Sequence, residues 1–481
     1  MMKRLAKTAV AIASAAVIAH AAAQEIPSET WMGVYLGEAK IGYAKFLFDK
    51  ADFQGESGYK LDSTSLMRVL VLGQQVEQNL DTTVYLNKEF EPMYEAFKLS
   101  SAGHTTSITA KFGKEEIAVK VESEGTNSTV KIPIPPNSRI VGDKNLFAST
   151  MKVGDKLHLK SFNAASLSLD DVEIQVLRKE KVQIGNETLE AFVIRSQDPL
   201  GETLCWQDDK GMPLKMTTIM GISMVREPKE AAMSFPDPGG DRPPSDVAVL
   251  TSIPTAVEIP NPRRVKYMKI RLSGLADRAL AINDRRQKVK LSDGEPPVAE
   301  YQIRASAFSP ARAVSLPIKD SGMEEYLGET PYIQPADPEI AAAARKIVGN
   351  EKNAYKAASR LRAWVNGNMK SKGDIGVLRS SVDLLRAKTG VCRDSALLYT
   401  ALARAVGIPT KLVVGLIFWT DGFYNHAWAE SFVGQWVPMD PTLPTDFVDA
   451  THIKLAEGDT AAMFDAAKTV GTLKAESVEF R

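Results

Sequence analysis

Three residues in the C-terminal third of this 481-residue chain have types and a spacing suited to nucleophilic catalysis by a thiol. Cys392 lies in "TGVCRDSALLYTALARAVGIP", where the pattern predicts the first turn of a helix. His426 follows in "NHAWAE", and Asp440 follows in "WVPMDPT". Because a thiol nucleophile needs a base and the base needs an orienting group, these residues predict a Cys-His-Asp triad.

The predicted position of Cys392 favours the thiolate. The first turn of a helix has backbone N–H groups without intrahelical acceptors, and it is the positive end of the helix dipole. A free thiol has a pKa of about 8.5, which a helix N-terminus or a neighbouring imidazolium lowers to between about 3.5 and 7.5. The thiolate attacks carbonyl carbon, and the N–H of Cys392 is placed to bind the resulting oxyanion.

Two other roles are open for Cys392. It could be a small apolar residue in a core, which is the usual state of a buried cysteine. It could also form a disulfide with Cys205, the only other cysteine, in "GETLCWQDDKG". The helix start and the presence of His426 and Asp440 favour the nucleophile.

Four further residues near the predicted triad have other preferred roles. His452 in "DATHI", with Asp449 beside it, is the rival histidine, but its position beyond the third strand favours a structural hydrogen bond. Asp394 is interpreted as a first-turn carboxylate that stabilises the helix N-terminus. Trp364, in an apolar helix upstream, is interpreted as a packing residue.

Sequence patterns predict four helices, the last of which begins at Cys392. Asp337 caps the first, Asn353 caps the second, and "SSVDLLRAKTG" forms the third. The fourth is apolar from 396 to 406 except for Arg404, so we expect a buried central helix. Three strands of one antiparallel sheet follow it, at 410–418, 423–433 and 435–440.

The turn between the last two strands decides whether the predicted triad can form. A three-residue loop at 433–435 places Trp428 opposite Asp440, with His426 two positions along on the same face. A two-residue loop would place the histidine and the aspartate on opposite faces, because side chains alternate along a strand. The triad therefore predicts a three-residue or bulged turn.

The region from Trp31 to about Val225 alternates apolar and polar residues with a period of two, which predicts an antiparallel meander of hairpins. The segment "FPDPGGDRPPSD" is the clearest linker, because proline and glycine exclude regular structure there. The predicted boundaries are a signal peptide at 1–23, a β-rich domain at 24–234, the linker at 235–246, a small β-rich unit at 247–330 and a C-terminal domain at 331–481.

The first 23 residues predict export. Lys3, Arg4 and Lys7 precede a short apolar run that ends in "AHAAAQ", the pattern of a cleavable signal peptide. We therefore expect a periplasmic or secreted bacterial protein without a transmembrane helix in its mature form. Removal of the segment leaves 56 Lys and Arg against 59 Asp and Glu, a formal charge of −3 that predicts no nucleic-acid partner.

No metal site or cofactor is predicted. The two cysteines and the histidines of the mature chain lack H-x-x-H or C-x-x-C spacing, and the sequence has no phosphate loop or dinucleotide fingerprint. His104 and His158 fall in different strands of the N-terminal region, where we expect surface or structural roles.

The segments "GVCRDSALLYTALARAVGIPTKLVVG", "NHAWAE" and "WVPMDPT" together resemble the core of the transglutaminase-like superfamily, over about 335–455. The layout resembles exported bacterial members with a C-terminal catalytic domain. The resemblance implies an α+β fold in which a papain-like domain, a central helix packed on an antiparallel sheet, follows antiparallel β-rich regions. It also implies that Cys392 is the nucleophile, His426 the general base and acid, and Asp440 the group that orients the imidazole.

The resemblance leaves two function classes open. Members of the superfamily include protein-crosslinking acyltransferases, peptide and amide hydrolases, and inactive copies. The favoured expectation is an exported enzyme that forms a thioester with a peptide or Gln side-chain carbonyl, which water or an amine then resolves. The alternative is a catalytically silent domain in a protein that binds a polypeptide or an envelope component. No sequence feature indicates an oligomeric state.

The linker yields the first testable prediction. Limited proteolysis of the full chain should cut first within 235–246 and release a β-rich N-terminal piece that stays soluble, because an exposed Pro- and Gly-rich segment makes few contacts. Mass spectrometry of the fragments identifies the cut. Cleavage scattered through 30–230 while the linker survives would show that the boundary is misplaced.

Overall fold

The computed structural model describes residues 27–481 except 72, 124–125, 141–151, 200, 210, 219–220, 237–245, 276, 295, 319–321, 374–377 and 461–470. The predicted signal peptide and most of the predicted linker lie outside the described residues. The described chain forms two compact units, one that ends at Val247 and one that begins at Ala248. The finer domain boundaries given by the sequence remain predictions.

The N-terminal unit is a 14-stranded sheet whose ladders are all antiparallel. Its order is β8-β7-β6-β5-β4-β3-β2-β1-β14-β13-β12-β11-β10-β9, so the first and last strands pair with each other in the middle. This confirms the predicted antiparallel β region. The strands are β1 Ser28–Leu36, β2 Ala39–Phe53, β3 Glu56–Val71, β4 Gln74–Leu86, β5 Pro92–Ser101, β6 His104–Phe112, β7 Glu116–Ser123, β8 Thr126–Pro133, β9 Lys156–Asn163, β10 Ser168–Ile184, β11 Glu187–Asp198, β12 Gly201–Gln207, β13 Pro213–Thr218 and β14 Ile222–Arg226.

The alternation in the sequence determines which face of this sheet is buried. In β4 the even-numbered residues from Val76 to Leu86 are buried, Gln78 and Thr82 among them, while the odd-numbered residues between them are more exposed, as the period of two requires. A short helix, α1 (Lys229–Met233), follows the last strand. The period of two in this region thus predicts an antiparallel β structure and the buried face of its strands.

The C-terminal unit combines helices with two antiparallel sheets and one two-stranded parallel sheet. Its helices are α2 Val247–Leu250, which begins at the boundary, α3 Pro338–Val348, α4 Ala354–Asn368, α5 Ser381–Ala387 and α6 Cys392–Ala405. Its strands are β15 Ile253–Pro254, β16 Tyr267–Ser273, β17 Gln287–Leu291, β18 Ala299–Arg304, β19 Lys370–Ser371, β20 Thr389–Gly390, β21 Thr410–Phe418, β22 Gly422–Phe432, β23 Trp436–Met439, β24 Ile453–Gly458 and β25 Lys474–Phe480. The predicted α+β fold class is confirmed.

Helix α6 is the buried centre of this unit, as its apolar sequence predicts. Every residue from Arg393 to Arg404 is buried. The predicted caps of the flanking helices are present: the Asp337 side chain accepts the N–H of Glu339, and the Asn353 side chain accepts that of Lys356. These caps fix where the helices around α6 begin.

The main sheet has the order β15-β22-β21-β24, with β23 also paired to β22. In the β22–β23 ladder Ala429 faces Met439 and Phe432 faces Trp436, which leaves the three-residue loop 433–435. Gly434 in this loop has a positive φ of 103°, a conformation that favours glycine. The hairpin register required for the predicted triad is therefore confirmed.

The second sheet, β17-β18-β16-β25, includes a strand that the sequence analysis did not identify. The C-terminal β25 pairs with β16, far away in the sequence. Met268, Ile270 and Tyr301 of this sheet share one apolar core with Leu416 and Ile453 of the main sheet. The small β region around 247–330 is thus packed directly against the strands that follow α6.

Gly415 is a packing constraint of the main sheet and gives a stability prediction. It lies in β21 opposite His426, and a Cβ at this position would come within 1.8 Å of the Ile453 carbonyl oxygen in β24. Gly415→Ala should therefore destabilise the fold by about 3 kcal/mol, the upper end of overpacking costs. Chemical denaturation measures the change.

A matched substitution serves as the control. A Cβ at Gly367, near the end of α4, meets no atom within 4 Å. Gly367→Ala should leave stability unchanged or raise it by about 1 kcal/mol through helix propensity. Equal effects of the two substitutions would contradict the packing argument.

Candidate active site

Helix α6 places Cys392 at its first position, half-buried, directly after the N-cap residue Val391. The backbone N–H of Val391 donates to Asp394 Oδ2 at 3.0 Å. Arg379 and Arg393 form ion pairs with the fully buried Asp394 carboxylate at 3.3 and 3.2 Å. Asp394 thus has the predicted first-turn role, since it fixes the backbone that presents the thiol.

Strands β22 and β23 bring His426 and Asp440 together. Nε2 of His426 lies 2.8 Å from Asp440 Oδ2, and both side chains are buried. The other carboxylate oxygen accepts the backbone N–H of Thr442 at 2.8 Å and its hydroxyl at 2.6 Å. Thr442 was not singled out in the sequence, although an N–H two residues after an aspartate commonly binds the carboxylate.

His426 lies beside the thiol of Cys392 and affects its pKa. Burial opposes ionisation of Cys392, but hydrogen bonding and charge from His426, together with the backbone N–H of Ala427, lower the thiol pKa. Because Nε2 of His426 faces Asp440, the ring has its other nitrogen available for the thiol. The structure therefore brings the three predicted residues into one chain of contacts.

The charges of this chain favour a protonated His426. Burial alone would lower the pKa of His426, but the charge and hydrogen bond of Asp440 and the contact with Cys392 raise it to about 10. Burial likewise acts against the Asp440 carboxylate, yet His426 and His452 hold its pKa well below the usual range. The favoured state is a thiolate-imidazolium pair backed by an ionised aspartate.

His452 lies at the same carboxylate and not at the thiol. Its Nε2 is 3.2 Å from Asp440 Oδ2, so it has the predicted structural hydrogen bond. Within the described residues, ligand atoms of His426, Asp440 and His452 lie within 4.8 Å of one another, a set that could hold a metal ion. His426 and His452 are far apart in the sequence and do not have the spacing of a short metal-binding motif, so the sequence pattern does not predict this cluster.

The remaining candidates of the sequence analysis lie elsewhere. Cys205 is buried in β12, and burial raises its thiol pKa to about 12. Both cysteines are free thiols, so the disulfide between them is absent. Trp364 is half-buried in α4 with the Lys388 ammonium 5.9 Å from its ring centroid, in agreement with a packing role.

Two family models match the chain. Residues 341–441 match the transglutaminase-like superfamily, and residues 32–223 match a protein family of unknown function, DUF3108. The first match spans Cys392, His426 and Asp440. The C-terminal unit therefore contains a domain of the transglutaminase-like superfamily, as the sequence motifs predict.

Parts of this chain are similar in sequence to parts of other proteins. An uncharacterized protein of Mycobacterium leprae is 32% identical over 130 residues, which are 25% of this chain and 45% of that protein. An uncharacterized protein of Haemophilus influenzae is 33% identical over 99 residues, 20% of this chain and 26% of that protein. The chain thus spans less than half of either relative.

A solved structure of a proposed cysteine protease from Cytophaga hutchinsonii is 17% identical, with a TM-score of 0.32. The similarity covers 45% of this chain and 88% of that one. A likeness of this size adds nothing to the assignment of the domain.

The different environments of the two thiols predict selective labelling. In the native protein at about pH 6, iodoacetamide should alkylate Cys392 and leave Cys205 untouched, because an ordinary thiol with a pKa of about 8.5 is less than about 1% ionised there. Peptide mass spectrometry locates the label. After denaturation at about pH 8.5, where ordinary thiols are about half ionised, both residues should react.

The pH profile is the internal control for this prediction. The rate at Cys392 should persist well below pH 8 because its pKa is lowered. A rate that rises only as pH approaches about 8.5 would show an ordinary thiol. Rapid native labelling of Cys205 would contradict its burial.

Proposed function

We propose that this chain is an exported thiol acyl-transfer enzyme that attacks an amide carbonyl through Cys392. The observation that supports this proposal is the chain of contacts from Cys392 to His426 to Asp440, with the thiol at the start of the buried helix α6. The charge state favoured there supplies a nucleophile without a prior proton transfer.

In the acylation step, Sγ of Cys392 attacks the carbonyl carbon of a peptide or Gln side-chain amide. The N–H groups of Cys392 and Arg393 precede the first intrahelical donors, which are those of Asp394 and Ser395 to the Val391 carbonyl oxygen. They are positioned to stabilise an oxyanion near the helix N-terminus. The C–N bond then breaks, and the His426 imidazolium gives its proton to the leaving amine.

In the second step, water or an amine attacks the thioester and His426 takes the proton from the nucleophile. The C–S bond breaks, which restores the thiolate-imidazolium pair and releases an acid or a new amide. Hydrolysis is favoured because water is always present at a half-exposed site. Asp440 stays ionised throughout and holds the imidazole in the orientation that both transfers need.

The proposed substrate is a polypeptide or peptide outside the cytoplasm. The apolar run after Lys3, Arg4 and Lys7 supports export. No helix among the described residues is long and apolar enough to span a membrane. The N-terminal unit matches a family of unknown function, so its contribution to substrate binding is open to experiment.

Substitution of the three residues tests the proposal. Cys392→Ser should abolish acyl-enzyme formation while the fold persists, because a hydroxyl is poorly ionised. His426→Ala should lower the rate by about 1,000-fold or more. Asp440→Asn should lower it less, since the amide can still hold the ring and the thiolate already forms at the helix N-terminus.

The measurement is thioester trapping with an activated ester, detected by mass spectrometry, with a thermal melt for each variant. A folded wild-type protein that forms no adduct, and whose Cys392 resists an activity-based thiol probe, would support the silent binding protein instead. Wild-type trapping in His426→Ala but none in His452→Ala would move the base to the second histidine.

A further inference from the structure

The Asp440 carboxylate binds more groups than a triad requires. Oδ2 meets His426 Nε2 at 2.8 Å and His452 Nε2 at 3.2 Å. Oδ1 accepts the N–H of Thr442 at 2.8 Å and its hydroxyl at 2.6 Å. A carboxylate has about four lone-pair sites, so all of them are used. Any rotation of Asp440 would break several hydrogen bonds at once.

His452 also has charged partners on the side away from Asp440. Its side chain is fully buried, and its Nδ1 lies 3.3 Å from Asp449 Oδ1. The Asp449 carboxylate accepts the N–H of Thr451 at 2.9 Å and pairs with Arg263 at 2.9 Å. The His452 carbonyl accepts a hydrogen bond from Arg286 Nη2 at 2.5 Å. The His452 ring is thus hydrogen-bonded to one carboxylate and lies beside a second, and its backbone carbonyl is bound by Arg286.

A ring contact connects the two histidines independently of Asp440. The Trp428 ring stacks on His426 with centroids 5.9 Å apart and meets His452 edge-on at 5.4 Å. Trp428 is fully buried in β22. The imidazole of His426 is therefore held on its face by an indole and at its Nε2 by a carboxylate, and His452 contacts both supports.

We propose that His452 is a positioning residue: it fixes the Asp440 carboxylate, and through it the ring of His426, without contacting the thiol or the substrate. This inference depends on the proposed function, in which Cys392 acts as a thiolate. The Asp449 carboxylate, with its Arg263 partner, is the outer layer of the same arrangement. The reacting groups then have two buried layers of support behind them, as precise proton transfer requires.

A pair of substitutions separates the hydrogen bond from packing. His452→Phe keeps a ring against Trp428 but removes the donor to Asp440. His452→Gln keeps an N–H donor at the position of Nε2. In His452→Phe, alkylation of Cys392 by iodoacetamide at about pH 6 should slow by about 10- to 100-fold, the cost of misplacing a reacting group by about 1 Å. The low-pH limb of the rate profile should also move to higher pH.

His452→Gln should recover the rate to within about 3-fold of wild type at the same pH. His158→Gln, at an exposed position in β9, is the control and should match wild type. The full chain is used, with a thermal melt for every variant. A structural role alone would lower the melting temperature of His452→Phe but leave the pH profile in place.

The failures of the two proposals are distinguishable. If alkylation of wild-type Cys392 becomes fast only as pH approaches about 8.5, as for an ordinary thiol, the proposed function fails whatever the variants show. The positioning role is overturned if the wild-type rate persists at low pH and folded His452→Phe has the same pH profile. It is also overturned if folded His452→Gln loses the low-pH rate as fully as His452→Phe does.

A second variant tests the inference if His452→Phe does not fold. Asp449→Asn removes the charge behind His452 and leaves Asp440 intact, so it should move the limb in the same direction by a smaller amount. An unchanged profile in folded Asp449→Asn, when His452→Phe does not fold, would overturn the inference.

Discussion

The charge of Asp440 is the constraint on which the C-terminal unit depends. Moving an ionised carboxylate out of water costs several kcal/mol, which only good hydrogen bonds and opposite charge repay. Here the partners come from three places in the chain: His426 on one strand, Thr442 in the turn after the next strand, and His452 before a third. The sheet must hold all three in place for Asp440 to remain ionised.

The same requirement explains why the small β region is part of this unit. Arg263 and Arg286 come from that region and bind Asp449 and the backbone of His452. Its strands also share an apolar core with the main sheet. Charged groups behind the site are thus placed by residues more than 100 positions before Cys392 in the sequence. The core and the charged partners together keep the far side of the site rigid.

Local patterns predicted much of this arrangement. Apolar periodicity and caps located α6, and the glycine in the 433–435 loop indicated the hairpin register that puts His426 and Asp440 on one face. The contact of His452 with Asp440 could not be predicted, because the chain between them is irregular and has no period that relates their directions. Nor could the pairing of β25 with β16, since long-range pairing depends on tertiary packing that no local pattern encodes.

The two histidines on one carboxylate oxygen differ in a way that assigns them separate roles. A general base must receive a proton from one reacting group and pass it to another, so its ring must reach the space where substrate binds. His426 lies beside the half-exposed thiol, whose pKa it lowers, and makes the shorter contact with Asp440. His452 is fully buried behind that carboxylate, and a carboxylate occupies the space beyond each of its ring nitrogens. It has no route to a substrate proton, so its chemistry is confined to holding the charge that orients His426.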